Sequence, residues 1–387
     1  MSTKIIIGAD MVPTIPNYTY FKNCDIHHLI GTEIEGILNN SDYSIFNLEV
    51  PLTDEKSPIS KCGPNLIAPT YTIKGLKKIN PYFFTLANNH ILDQGDQGLQ
   101  KTIEILKQEN IAYAGAGNNL EKAKKPYIVN INDIKIGIYC CAEHEFTIAE
   151  KDKAGANPYD PLESFDHVKK LKEEVDFVIV LYHGGKEHYR YPSPNLQKVC
   201  RKFIEKGADL LVCQHSHCIG CKEEYMNGTI VYGQGNFLFD HSESEFWKTS
   251  LLLSLEIEKT NGQLDSQINY YPLIKNNECV RLAEDSEKEK IMNDFLIRSD
   301  EIKNEENIEK YYSEFSKEMI DNYLSNLSGK KSLLFRIINK ITHYRFGKYS
   351  NKKKFPKSQN NAIRNFIECE AHRELLLKGI SDVKNSK

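Results

Sequence analysis

The stretch LANNHILDQGDQG, residues 86–98, follows directly on the apolar run YFFT at 82–85. A strand that ends in two Asn, a His and, three residues on, an Asp has two readings. Asn and Asp tolerate left-handed backbone, so the segment can be a turn and nothing more. Amide, imidazole and carboxylate groups are also what one corner of an active site is made of. The choice depends on what the other strand ends carry.

Working outward, β-rich runs stand at 4–9, 43–48, 82–86, 111–114, 177–182, 209–213 and 229–232, with amphipathic helical patterns at 99–109 and 195–206. Residues 127–141 read as a hairpin around Asn132-Asp133, and 250–258 as a strand before the turn Thr260-Asn261-Gly262. Near-continuous apolar runs belong to strands covered on both faces, so residues 1–280 read as an α/β domain. Beyond the strands come polar groups: Asp10 after IIIGA, Glu49 after SIFNL, and Asn88, Asn89, His90 and Asp93 after YFFTLA. Glu143 and His144 follow GIYCCA, His183 and Glu187 follow FVIVLY, and His215 and His217 follow DLLVCQ. In an open α/β sheet the ligand crevice lies at that edge.

Taken singly, each group has a bland reading. A strand-end Asp is most often a turn residue, His183-Gly184-Gly185 can be a glycine turn with an incidental His, and a lone His-x-His is weak evidence. In an extended loop, though, both rings of His215-x-His217 can turn toward one ion. The joint set matters more than any member, because carboxylate, amide and imidazole donors suit manganese, zinc, iron or nickel and need no Cys.

The bulk numbers exclude some classes. The chain has 387 residues, 40% of them hydrophobic, and a formal net charge of -3, which gives no reason to expect nucleic acid as a partner. No apolar run is long enough to span a bilayer. The opening MSTKIIIGADMVP lacks the apolar length and small-residue cleavage pattern of a signal peptide, so the expected location is the cytoplasm, where the ten Cys stay reduced. Cys218 and Cys221 have redox or zinc spacing, but no second such pair exists to complete a structural zinc site.

From 281 to 387 the texture turns charged and mostly helical. Residues 330–367 contain Lys330, Lys331, Arg336, Lys340, Arg345, Lys348, Lys352, Lys353, Lys354, Lys357 and Arg364 and no acidic residue. Apolar Leu333, Leu334, Phe335, Ile337, Ile338, Ile341, Tyr344 and Phe346 are interleaved with them. The favoured reading is a packed helix whose basic face is solvated or paired with the acidic 284–321 region. The alternative is peripheral contact of 330–355 with an anionic membrane surface.

Several stretches, in this order, make a recognisable set: IIIGADMV, FNLEVPLTD, FFTLANNHILDQGDQGLQKTIEILKQENIAYAGAGNNLEKAKKPYI, VLYHGGKEHY and GADLLVCQHSHCIGCKEEYMNGTIVYGQGNFLFD. The chain thereby resembles the CapA family, named for capsule and poly-γ-glutamate biosynthesis, within the calcineurin-like metallophosphoesterase superfamily. The resemblance covers most of 4–240 and implies a four-layer αββα sandwich with a metal site where strand-end loops meet. It assigns Asp10, Glu49, Asn89, His183, His215 and His217 as ligands of one or two divalent ions. His90 is then the catalytic donor that contacts the scissile group, and Asp93 orients it. Asn88, Glu143, Glu187 and Asn236 are candidates for substrate binding or for supporting the ligands. Two departures from the phosphoesterase pattern stand out: Val12 replaces a His, and Glu49 replaces a shorter bridging Asp.

Three functions follow as expectations. The first is a metal-dependent hydrolase or transferase acting on an anionic polymer or a phosphorylated substrate, the metal lowering the pKa of a bound water. The second is a non-catalytic polymer-binding or scaffold protein among capsule synthesis proteins, which the missing His at Val12 favours. The third is a generic phosphodiesterase or phosphatase, which the same substitution disfavours.

Overall fold

The computed structural model describes residues 2–239, 243–276, 278–329 and 333–385. Two compact units divide the chain, Met1–Glu309 and Lys310–Lys387.

In the first unit, β1 (Ser2–Met11), β2 (Tyr43–Leu48), β3 (Phe83–Thr85) and β4 (Ala112–Ala114) run parallel, side by side. The tiny strands β5 (Ala116–Gly117) and β8 (Gly155–Ala156) pair only with each other. A second sheet comprises β6 (Tyr127–Ile131), β7 (Ile134–Ala142), β9 (Phe177–His183), β10 (Leu210–Gln214), β11 (Lys222–Tyr225) and β12 (Gly228–Val231), in the order β11-β12-β10-β9-β7-β6. The chain then returns to the first sheet. There β13 (Asn236–Leu238) pairs parallel with β1, and β14 (Thr249–Thr260), β15 (Gln263–Lys275) and β16 (Val280–Leu282) extend the sheet antiparallel. The expected hairpin at 127–141 forms, and the expected turn at Thr260-Asn261-Gly262 closes a second one, since Asn132, Asp133, Asn261 and Gly262 take the left-handed backbone that two-residue hairpin turns need.

Alternation decides the layers. Ile136, Ile138, Cys140, Ile179, Leu181 and Val212 point into a core shared with β1, β2 and β3. Their neighbours Tyr139, Cys141, Val178, Val180, Leu211 and Cys213 face a separate core made with α6 (Ser164–Glu174) and α7 (Pro194–Glu205). Between β1 and β2 the chain forms α1 (Tyr18–Asn23) and α2 (Ile26–Asn39), and α3 (Ile73–Lys78) precedes β3. Together with α4 (Gly95–Gln108), these helices bury Phe21, Leu29, Ile34, Leu76, Leu99 and Leu106 against the first sheet. The result is the expected αββα sandwich. Helix α7 starts cleanly because the Ser193 side chain accepts from Leu196 N at 3.1 Å and Pro194 occupies its first turn.

Past the short helices α5 (Leu120–Ala123) and α8 (Glu245–Lys248) comes α9 (Asp285–Glu301). It buries Ile291 and Phe295 with Leu251 and Ile219. The first unit therefore runs to Glu309, beyond the boundary at 280 read from the sequence texture. The second unit contains most of α10 (Glu305–Leu327), with α11 (Leu333–Ile341), α12 (Arg345–Lys354), α13 (Lys357–Glu368) and α14 (Glu370–Asn385). In it, buried Asn351 donates to Asp321 O at 2.9 Å, tying α12 to α10. Lys330 and Lys331 lie outside the described residues. No described helix is long and apolar enough to cross a membrane.

Candidate metal centre

The strand ends converge, but not all as simple overhangs. Asp10 lies within β1, at a break in register between β1 and β13 that re-aims its side chain. His183 is the last residue of β9, and His215 directly follows β10. The segment carrying His215 and His217 is not extended. Both residues have positive φ, 82° and 52°, a conformation that non-glycine residues hold only where the surroundings enforce it. The enforcing neighbour is the GQGNF segment: Gly233, at φ 116°, passes so close that a Cβ there would lie 2.6 Å from Ser216 Oγ.

Side-chain donors from four strand ends meet. Glu49, His215 and His217 lie within ion-holding range of one another, and so do Asp10, Glu49 and His183. Glu49 belongs to both groups, which is the geometry of a bridging carboxylate. His183 Nε2 is 3.4 Å from Glu49 Oε1 and 3.0 Å from Asn89 Oδ1, and His217 Nδ1 is 3.5 Å from Asp10 Oδ2.

Asp10 Oδ2, both oxygens of Glu49 and His215 Nδ1 are buried without a hydrogen-bond partner. Buried orphan acceptors are costly in a folded protein, and a divalent cation would satisfy them together. The donor set therefore fits a metal. Burial, reinforced by Asp10, holds the Glu49 carboxyl well above the usual carboxylate range. Burial acts upward on Asp10 too, but its contact with His217 and the nearby His183 outweigh it and hold the carboxyl low. Burial depresses His183 to about 4 and, with two neighbouring imidazoles, pushes His215 well below the normal range, so both rings are neutral at pH 7. His217 runs the other way: burial is outweighed by Asp10 and Glu49, which raise it to about 9.

Beside this cluster, His90 Nδ1 lies 2.6 Å from Asp93 Oδ2, the orienting contact the resemblance implies. Burial, with Lys61 and His183 in support, lowers the pKa of His90. Sequence reading missed Lys61. Its side chain is almost wholly buried, ion-paired with Asp93 Oδ1 and 3.3 Å from Asn89 O. It arrives on the loop 55–66, which is stapled to the 86–98 turn: Leu66 N donates to Asp93 Oδ2, Ile59 N to Asp93 O, and Ser57 N to Gln94 Oε1. A lone Lys in an irregular loop carries no periodic signal, so nothing local marked it.

Asn88 is scaffolding: its amide donates to Asn47 Oδ1 and Leu48 O, tying the turn to β2. Asn47, also missed, donates to Asp10 Oδ1 at 2.8 Å and lies 3.3 Å from His183 Nδ1. It stands two residues before Glu49 in the quoted FNLEV, so its position was visible but its role was not. Asn236 Oδ1 is 2.8 Å from His217 Nδ1 and fixes that ring. Glu143 accepts from Tyr182 OH, outside the ligand groups, and burial raises its pKa. Glu187 is half-buried, near enough to be felt at Glu49, while His144 is exposed. Two more contacts had no sequence signal. Glu145 accepts from Asn89 Nδ2, and Trp247 stacks on His217 at 4.6 Å between ring centres. Val12 is packed in the hydrophobic core. Cys218 and Cys221 are buried free thiols in no metal-holding group among the described residues.

The sequence model of the bacterial capsule synthesis protein PGA_cap family matches residues 5–241. The chain belongs to this family. The match spans the segments that carry Asp10, Glu49, Asn89, His183, His215 and His217. Among curated PGA_cap relatives, the capsule biosynthesis protein CapA of Bacillus anthracis is 32% identical over 212 residues, 52% of this chain and 52% of that one. The PGA biosynthesis protein CapA of Bacillus subtilis (strain 168) is 32% identical over 239 residues, 59% of this chain and 61% of that one. This PGA_cap chain thus spans between half and two thirds of the length of both relatives. A crystal structure described as a novel phosphatase from Mycoplasma pneumoniae is similar at a TM-score of 0.45 and 13% identity, over 72% of this chain and 95% of that one. At that score the likeness does not bear on function.

Proposed function

We propose that the chain acts in biosynthesis of a capsule-type or poly-γ-glutamate-type anionic polymer, as a metal-dependent hydrolase or transferase on amide or phosphate linkages. The observation that carries this reading is the sharing of Glu49, with both oxygens unsatisfied, between two ion-holding groups of buried side chains. Asp10, Glu49, Asn89, His183, His215 and His217 would hold one or two divalent ions, of manganese, iron, zinc or nickel. When bound, such an ion supplies Lewis acidity and lowers the pKa of water. The remaining chemistry belongs to the chain. Asp93 holds the Nδ1 side of His90, so the ring presents Nε2 to the reacting group, where it exchanges a proton with the attacking oxygen or with the leaving group, an oxygen in a phosphate ester and a nitrogen in an amide. Asn236 and Asn47 keep His217, Asp10 and His183 from rotating. The proposed setting is the cytoplasmic side, beside other capsule synthesis proteins.

Val12 supports a second reading, a polymer-binding or scaffold role without turnover, because an apolar side chain stands where a further ligand is expected. The two part on one experiment. Protein purified without chelator is analysed for metals beside Asp10→Ala and His215→Ala, then assayed on phosphodiester, phosphomonoester and γ-glutamyl substrates. Near-stoichiometric metal lost in both variants, with turnover lost in His90→Ala, supports the enzyme. Bound metal without turnover supports the scaffold, and absence of metal after reconstitution sinks the hydrolase.

A further inference from the structure

The second unit has a surface that the metal centre does not use. In α12, Gly347 and Asn351 face inward, Gly347 N donating to Asn339 Oδ1 and Asn351 bonding Asp321 and Ser325. Elsewhere on α11 and α12, large apolar side chains stand open to solvent. Ile341, Tyr344 and Tyr349 are 72%, 63% and 69% exposed, and Ile337 and Phe346 are exposed as well. Arg345, Lys352 and Lys353, all exposed, stand at the helical spacings that make them neighbours of Tyr349, and exposed Lys348 precedes it.

These cations were expected to be solvated or paired with acidic residues. The acids of α10 in the same unit, Glu314, Glu318 and Asp321, do not take them: none of Lys340, Arg345, Lys348, Lys352 and Lys353 forms an ion pair with a described carboxylate. The turn between α11 and α12, at His343 and Tyr344, has left-handed backbone that carries Tyr344 outward at the junction of the two helices.

We infer that α11 and α12 form a docking surface for an anionic lipid bilayer, with Ile341, Tyr344 and Tyr349 entering the interface and the flanking Lys and Arg meeting phosphate headgroups. The partner follows from having both features on one surface. A soluble polyanion would pair with the cations and leave three large apolar side chains in water. A second copy of the chain would bring the same unpaired positive charge against itself. A bilayer interface with anionic headgroups satisfies both, as amphipathic basic helices do. This holds whether or not the metal centre turns over substrate.

The test is flotation of the full chain with phosphatidylcholine vesicles, with and without about 30% phosphatidylserine. The expected result is at least about tenfold more binding to the anionic vesicles, weakened by salt. Two triple variants, Ile341→Ser/Tyr344→Ser/Tyr349→Ser and Lys348→Gln/Lys352→Gln/Lys353→Gln, should each lose at least about tenfold in binding, with helix content checked by circular dichroism. In case a triple variant loses helix, Tyr349→Trp gives an independent reading: its emission, relative to wild type, should shift to the blue on anionic vesicles only. No flotation, equal flotation on neutral vesicles, or no blue shift would overturn the proposal. So would an apolar triple variant that binds vesicles as wild type does but is displaced by soluble polyglutamate, which would make the surface a polyanion site.

Discussion

Asp93 makes three contacts at once: His90 on one oxygen, Leu66 N on the same oxygen, and the buried ammonium of Lys61 on the other. Removing the cation leaves a fully buried carboxylate without a counter-charge. Lys61→Met should therefore cost about 3 kcal/mol of stability, read by urea denaturation, because breaking a buried pair costs far more than an exposed one. A loss below about 1 kcal/mol would mean that Lys61 is not paired in solution. Asn236→Ala tests orientation rather than charge. It removes the side chain that fixes His217, and metal affinity should fall about tenfold or more in a competitive chelator titration, with little change in fold. Both residues act through others. For that reason neither stands out by type alone.

At the scale of elements, one short segment shapes the site without ligating anything. The GQGNF segment leads into β13 and presses the His215–His217 loop into its left-handed backbone. Gly233→Ala should destabilise by about 1–3 kcal/mol, since the added Cβ meets Ser216 and Cys218 at a positive φ. It should also weaken metal binding, which calorimetry and metal titration would check together. The start of α9 gives a pH-dependent readout. Glu287 is hydrogen-bonded by Arg281 and by Glu284 N, which hold its carboxyl down to about 2 from its usual 4.5. A folded-state value below the unfolded one stabilises above the unfolded value, and that stability is lost as pH falls through the folded value. The stability gap between wild type and Glu287→Gln should be present at neutral pH and close between about pH 4.5 and 2. Because the pair is exposed, salt should narrow it. A gap that persists unchanged at pH 2 would contradict the ion pair.

For the whole molecule, the candidate metal centre joins the two sheets. Asp10, Glu49 and Asn89 come from the first sheet's strand ends, and His183, His215 and His217 from the second's. An ion there would bind only when both sheets are assembled, so its binding energy would also be folding energy. Chelator treatment should lower the melting temperature of wild type but not of Asp10→Ala. An equal response in the two proteins would place the metal elsewhere.

The sequence by itself determined the α/β class, most strand positions, the hairpin at 127–141, the family resemblance and which strand-end polar residues cluster. It could do so because a strand buried on both faces needs an unbroken apolar run, and the polar residues that interrupt it mark the strand's end. The 86–98 turn was legible for the same reason: Asn89, His90 and Asp93 stand where a covered strand has just stopped. What only the tertiary structure decided were the relations between segments far apart in the chain. Lys61 reaches Asp93 from an irregular loop, Asn47 holds Asp10 and His183 together, Trp247 stacks on His217, and Glu145 takes the free amide of Asn89. The first compact unit likewise extends to Glu309 because α9 packs Phe295 into one core, and Ile302 and Ile308 beyond it pack into another, which local composition does not show. Periodicity records which face of an element is buried. It carries no record of what lies on the other side of that face, and a site is made of the groups that meet there.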